Sequence, residues 1–378
     1  MRFIPKNSSF FDIFKIGTGN FIGNIISSLF WIFLAGLIGQ ENYGNLGYFL
    51  GLIGIFTVVS MIGGQYAMQV YTSKNIRIES ALYVISLISG FVVSIILLIL
   101  FNNSGLSISI FGFTLLNFYF SELIGKKLFS KYSIIYVLQK ILFVILSLIL
   151  YFLIGIEGIL LGYGLSSLIF IPHLISILKS EKIHFNHIKE KKKILIYNYI
   201  SELSATSRNN IDKIIILPLF GSALLGNYFL SLQIFSLMII VPSIVQKYVI
   251  SMDSQNLSTT SIKIITILFS FAITLFGIFI VPILIPYLFP KFIDAIILIP
   301  IISVAVLPRT ISIMIMSSLI SNEKNIHVTI GNSISLVSLI FGIVISFNFL
   351  NDIGIAISFT IASILNCIYL IIYKKYFY

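Results

Sequence analysis

Residues 10–38 read FFDIFKIGTGNFIGNIISSLFWIFLAGLI, and residues 39–45 follow as GQENYGN. A helix that spans a bilayer needs about 20 largely apolar residues. The first run exceeds that, and its only charges, Asp12 and Lys15, lie near its start. It is too long for a signal-peptide core and lacks a small-x-small cleavage site, so it is expected to be the first spanning helix and not a targeting segment. The polar, glycine-bounded segment after it predicts an immediate reversal of the chain.

The pattern repeats to the end of the chain. Twelve spans are predicted, at 10–38, 43–71, 80–101, 106–125, 132–154, 157–178, 194–219, 223–249, 262–288, 295–320, 327–347 and 352–373. Composition agrees with an all-α integral membrane protein: of 378 residues, 58% are hydrophobic and 10% charged, and mean hydropathy is +1.07. A soluble domain carries about 25% charged residues, which excludes an ordinary soluble enzyme, a disordered chain and a secreted disulfide scaffold. The apolar runs are continuous and do not alternate, against a β-barrel. The single cysteine, Cys367, cannot form an intrachain disulfide and reads as a small core residue.

Basic residues orient these spans, because Lys and Arg favour cytoplasmic loops. With both termini cytoplasmic, the inside segments hold eighteen Lys and Arg and the outside loops one, Lys291. The net charge of +11 therefore marks loops and not a nucleic-acid surface. The longest loop, 179–193, reads KSEKIHFNHIKEKKK at mid-chain. It divides an N-terminal six-helix lobe, 1–178, from a C-terminal one, 194–378. The segments Gly39–Asn45 and Gly221–Asn227 both fit Gly-x4-Gly-Asn, each directly after the first helix of its half. They predict two parallel repeats related by an axis along the membrane normal, with a substrate path between them.

Charge inside a membrane is costly and marks function. The candidates are Lys15, Glu122, Lys140, Glu202, Arg208, Asp212, Lys213 and Arg309. Lys15, Glu122 and Lys140 lie near cytoplasmic ends, where snorkelling or a Glu122–Lys140 pair would satisfy them. At 1.5 Å per residue from Lys193, Arg208 lies about 22 Å into the seventh span, close to the bilayer centre. Arg309 is central in the tenth. On an unbroken seventh helix, Asn198, Ser201, Glu202, Arg208, Asn209, Asp212 and Lys213 share an arc of about 140°. That face predicts either a polar cavity or an Arg208–Asp212 pair at i, i+4. In the first span, Asn20, Asn24, Ser27 and Trp31 form a stripe about 60° wide, suited to lining a path or to interhelical hydrogen bonds. Gly17, Gly19 and Gly23 would let that helix bend or pack closely. Pro242, Pro282, Pro286, Pro300 and Pro308 predict kinks in the second half.

Other chemistry is weakly signalled. His184-x-x-His187 has no surrounding ligand set for a metal, there is no P-loop, and no catalytic constellation can be placed.

The chain carries Gly39-x-Glu41-x-Tyr43-Gly44 after the first span, Gly63-Gly64 in the second, Asn210-x-Asp212-Lys213 in the seventh and Gly221-x4-Gly226-Asn227-Tyr228 after it. In these motifs it resembles the Wzx-type O-antigen and polysaccharide flippases of the multidrug/oligosaccharidyl-lipid/polysaccharide (MOP) superfamily. The resemblance implies a MATE-like arrangement of twelve helices in two lobes and alternating access. The implied substrate is an undecaprenyl-diphosphate-linked oligosaccharide, moved across the bacterial cytoplasmic membrane with no cofactor beyond a coupling Na+ or H+. Partners implied are membrane lipid and other polysaccharide-assembly proteins, with no nucleic acid. Arg suits a diphosphate because its charge is permanent and its donors are forked. Arg208, Arg309, Asn209, Lys213, Asn20 and Asn24 are the expected substrate contacts, and Glu202, Asp212 and Lys15 the expected coupling or gating residues. A multidrug or cation exporter of the same fold is the competing reading. Five buried cations (Lys15, Lys140, Arg208, Lys213, Arg309) against three anions (Glu122, Glu202, Asp212) lean towards an anionic substrate. An O-antigen polymerase would need a long outside loop bearing catalytic residues, and none is predicted.

The topology is testable in a Cys367→Ser background. His187→Cys and Ala223→Cys should react with an impermeant maleimide from opposite sides of the membrane; reaction of both from one side would break the twelve-span scheme.

Overall fold

The computed structural model describes residues 7–74, 76, 79–180, 192–254, 257–322 and 324–377, with the side chains of 7–16, 178, 180, 192–194, 251, 348, 351 and 377 outside that description. All its regular elements are helices: α1 (Asn7–Ile38), α2 (Gln40–Met61), α3 (Gly64–Ser73), α4 (Glu79–Phe101), α5 (Ser104–Gly125), α6 (Phe129–Ile154), α7 (Ile156–Ser167), α8 (Ile171–Ser180), α9 (Lys192–Arg208), α10 (Ile211–Phe220), α11 (Ser222–Asp253), α12 (Thr260–Phe279), α13 (Val281–Leu288), α14 (Ala295–Val304), α15 (Val306–Ser321), α16 (Asn325–Phe349) and α17 (Asn351–Phe377). A 3-10 turn, Leu168–Phe170, joins α7 to α8. Among the described residues, eleven helical stretches are long and apolar enough to cross a membrane. The expected seventh span is the exception, being split into α9 and α10 at Asn209–Asn210. Large apolar side chains such as Ile99, Phe152, Phe279 and Phe349 are exposed, as expected of helices facing lipid.

Several reversals are as tight as a chain allows. Gly39 alone separates α1 from α2, Gly155 separates α6 from α7, and Gly221 separates α10 from α11. All three have positive φ, which glycine adopts without the steric cost that a Cβ brings. Asn102 and Asn103 join α4 to α5, where Asn103 caps α5 by accepting from the Leu106 N–H at 2.8 Å. Further breaks fall at Ile62–Gly63 (both at positive φ), at Ile280 before Pro282, and at Ala305 before Pro308. Pro308 cannot donate to the carbonyl of Val304, the residue at which α14 ends. Pro242, by contrast, sits inside an unbroken α11.

By contact the chain groups into two compact units, 1–27 with 52–206 and 28–51 with 207–378. The first is built on α5, the most enclosed of the spans. Its core joins Met61, Met68, Tyr83, Leu115, Phe118 and Leu174. Small residues let the helices approach: a Cβ on Gly158 or Gly162 of α7 would strike the α6 backbone at Leu150 or Ser147. Ser147 and Ser109 donate across these seams to the carbonyls of Ile159 and Leu160, at 3.0 and 3.1 Å. Dispersion and interhelical hydrogen bonds replace hydrophobic burial here, because lipid is as apolar as the seam.

The second unit contains both Gly-x4-Gly-Asn segments, packed against each other reciprocally. A Cβ on Gly44 would run into the Ser222 carbonyl oxygen, and one on Gly226 into the Gln40 carbonyl oxygen. Each closely packed glycine thus meets the residue just after the turn glycine of the other segment. Tyr43 is fully buried beside them, 4.7 Å from Phe229 and edge-on to Phe292 at 5.8 Å between ring centroids. Leu225, Tyr228, Leu298, Leu339, Ile343 and Ile355 form the adjoining core.

This crossing sets a stability test. Gly44→Ala and Gly226→Ala should each destabilise the detergent-solubilised protein by about 1–3 kcal/mol, the usual cost of overpacking. Gly17→Ala, whose Cβ would meet nothing within 4 Å, should be neutral. Equal melting temperatures for all three variants would refute the crossing.

Candidate functional site

The split seventh span organises the site. Asn210 precedes α10 with φ −136°, outside the helical region, and the Asn210 N–H reaches only back to the Ser207 carbonyl, at 3.1 Å. Asparagine competes for backbone groups and favours such breaks. Interrupted backbone at membrane depth must find partners inside the protein. Lys213 supplies them: its ammonium donates to the Asn209 carbonyl at 2.6 Å and to Asn210 Oδ1 at 3.3 Å. Asp212 accepts from the Lys213 N–H at 2.9 Å and from the Tyr228 hydroxyl at 2.8 Å. Its carboxylate lies 3.7 Å from the Lys213 ammonium. The Asn210-x-Asp212-Lys213 motif is therefore the pin of the break.

The break changes which side chains share a face. The expected Arg208–Asp212 pair is not formed: Asp212 is held by Tyr228 and Lys213, and Arg208 Nε donates to Ser335 Oγ at 2.8 Å. The spacing i, i+4 brings side chains together only on a continuous helix, and residues 208 and 212 belong to different helices. The single polar arc of about 140° expected on an unbroken seventh helix is divided in the same way.

Arg208 and Arg309 do come together. Both line a small cavity of ≈ 40 Å³ with Asn209, Phe235, Ser335, Leu339, Phe359, Ala362 and Ser363. Arg208 is buried, and Arg309 Nη1 is buried with no hydrogen-bond partner. No carboxylate lines the cavity among the described residues. A charged donor left unmatched away from water is costly, so this pocket calls for an acceptor. Ser335 on α16 and Ser363 on α17 went unnoticed in the sequence because Ser is common at membrane helix interfaces.

The remaining expected residues lie elsewhere. Lys213 is taken up by the break. Asn20 and Asn24 on α1 accept from the hydroxyls of Tyr132 and Tyr136 on α6, both at 2.8 Å, and so tie two helices together. Glu202 is buried with neither carboxylate oxygen hydrogen-bonded to a side chain. The side chain of Lys15 lies outside the described residues. The expected Glu122–Lys140 pair is also replaced. Glu122 takes Lys126 at 2.6 Å, Tyr83 at 2.8 Å and His173 at 3.0 Å. Lys126 is one turn further along the same chain segment and therefore reaches Glu122 at little entropic cost. Lys140 instead lies 5.3 Å from the Tyr136 ring centre. His173 thus joins Lys126 and Tyr83 around this one buried carboxylate.

The fold is similar to an inward-facing MATE family multidrug resistance transporter of the MOP superfamily, with TM-score 0.73, 14% identity and 94% of each chain covered. An outward-facing MATE family transporter gives TM-score 0.71 and 15% identity over 96% of this chain and 94% of that one. A MOP superfamily transporter from Pyrococcus furiosus, described as having a binding pocket of reverse polarity that suggests a different function, gives 0.69 and 15% over the same shares. No protein-family model and no curated protein matches the sequence. The architecture is thus the MATE fold.

The pin is testable apart from any transport assay. Tyr228→Phe removes one hydrogen bond to a buried carboxylate and should cost about 1.5–3 kcal/mol. Thermal unfolding in detergent measures it; an unchanged midpoint would remove Tyr228 from the pin.

Proposed function

We propose that the protein is a flippase that moves an undecaprenyl-diphosphate-linked oligosaccharide across the bacterial cytoplasmic membrane by alternating access. One observation carries this reading: two arginines face one pocket whose walls offer no carboxylate. A diphosphate is the ligand chemistry that such a pocket best satisfies. Guanidinium groups give it forked, permanently charged donors, and Ser335, Ser363 and Asn209 offer further hydrogen bonds. A cavity of ≈ 40 Å³ holds little more than one water. Binding therefore requires the pocket to widen, which suits a transporter that changes state. Solved structures of similar fold in inward- and outward-facing conformations support that cycle. The expected lobes, 1–178 and 194–378 joined at 179–193, are proposed as the moving bodies. Glu202, Asp212 and Lys15 are proposed to serve Na+ or H+ coupling.

A cation or multidrug exporter is the second reading. It is favoured by the multidrug resistance transporters among the structural neighbours and by the buried carboxylate of Glu202. A polymerase is disfavoured by the one-residue links at Gly39, Gly155 and Gly221.

Reconstitution in liposomes separates these readings. The wild-type protein should transfer a lipid-linked oligosaccharide between leaflets without altering its length. Arg208→Ala and Arg309→Ala should lower the rate at least tenfold at equal insertion, about what losing 1.4 kcal/mol or more of charged hydrogen bonding would do. Arg→Lys should give a smaller loss, since it keeps the charge and loses the fork. Full flipping by Arg309→Ala would sink the assignment. Transport of tetraphenylphosphonium instead of the lipid-linked sugar would favour the exporter.

A further inference from the structure

A second and larger cavity lies wholly within the unit formed by 1–27 and 52–206. Its volume is ≈ 300 Å³, at the lower end of the range for small-molecule sites. Four amide side chains line it: Gln65, Gln69, Asn117 and Gln139. Three tyrosines, Tyr132, Tyr136 and Tyr163, add aromatic wall, with Lys140 among them.

Two wall groups are orphaned. Gln139 is about 1% exposed, and while its amide nitrogen, Nε2, donates to Ser166 Oγ at 3.0 Å, its Oε1 has no partner. Ser121, equally buried, has an unpartnered hydroxyl. Buried polar atoms are ordinarily hydrogen-bonded, so a wall carrying both is built for a polar occupant or for water. Among the described residues Lys140 has no carboxylate partner; its ammonium faces the Tyr136 ring at 5.3 Å.

We propose that this cavity is a saccharide-binding subsite that prefers a sugar bearing one negative charge. It rests on the flippase reading above for its physiological ligand, the oligosaccharide portion of the same substrate. The chemistry excludes the alternatives. A hydroxyl donates and accepts at once, and an amide answers both roles, so four amides match a polyhydroxylated ring. Tyrosine rings offer apolar faces to the C–H side of a sugar and hydroxyls to its edge. A cationic drug would find no carboxylate among the lining residues, and a diphosphate would find one cation where it calls for two or more. A single Lys matches a single acidic group, such as a uronate carboxylate.

Saturation-transfer NMR on the full-length protein in lipid nanodiscs tests this with D-glucuronate and D-glucose as probes. Glucuronate should bind more tightly than glucose. Asn117→Ala and Gln69→Ala, at positions only partly buried, should fold and bind glucuronate about fivefold more weakly, the worth of one ordinary hydrogen bond. Lys140→Gln should bring glucuronate down to the level of glucose. Pyrophosphate and tetraphenylphosphonium should not displace the sugar. Unchanged binding in both Asn117→Ala and Gln69→Ala, equal binding of the two sugars to the wild type, or displacement by either ion would overturn the subsite. Sugar binding without lipid flipping would overturn only the flippase reading. Flipping with sugar binding that is indifferent to Asn117→Ala and Gln69→Ala would overturn only the subsite.

Discussion

A helix interrupted inside a membrane exposes carbonyls that no water is at hand to satisfy, and the ammonium of Lys213 meets that demand at Asn209–Asn210. The rest of the second unit's polar design follows from this contact. Because Lys213 is bound to the break, Asp212 becomes its counter-charge and the acceptor for Tyr228. Because Asp212 is thereby occupied, Arg208 turns to Ser335 and to the pocket it shares with Arg309. A buried cation left with neutral partners is costly, and that cost is what makes the pocket a candidate for an anion.

The close crossing of the two Gly-x4-Gly-Asn segments supplies the second constraint. Gly44 lies against Ser222 and Gly226 against Gln40 because neither has a Cβ. Gly51 continues the approach: its neighbours are the Asn210 carbonyl and the Lys213 side chain. The helix that begins at the first repeat therefore passes directly beside the break in the second, and a larger residue at 51 would press on the pin. Packing and electrostatics meet there on the same few residues. In the unit formed by 1–27 and 52–206, amides and tyrosines predominate among the polar groups of the cavity wall, with Lys140 among them. The two cavities thus differ in chemistry, one carrying two guanidiniums and the other four amides with one ammonium.

How much of this was legible beforehand depended on the kind of signal. The eleven apolar helices follow from hydropathy alone, since twenty apolar residues have one low-energy solution in lipid. Gly39 and Gly221 marked their turns, because only a residue without a Cβ tolerates those backbone angles at no cost. Arg208 and Arg309 stood out because a charge at membrane depth needs a reason. Gln69, Asn117 and Gln139 carried no such signal: an uncharged amide in an apolar run is compatible with ordinary interhelical bonding, and they converge with Gln65 only after three separate segments fold together.

By itself the sequence determined the class, the number and approximate limits of most spans, the paired glycine turns and the residues whose charge demanded a partner. These are properties of local composition, and a bilayer converts composition into structure almost directly. Only the tertiary structure decided the partners. Arg208 bonds to Ser335, 127 positions away, and not to Asp212 four positions on; Glu122 chose Lys126, Tyr83 and His173 over Lys140. Spacing along one helix ranks the near candidates, but a break of two asparagines reorients everything beyond it, and which distant helix then presents its serine or tyrosine is settled by packing.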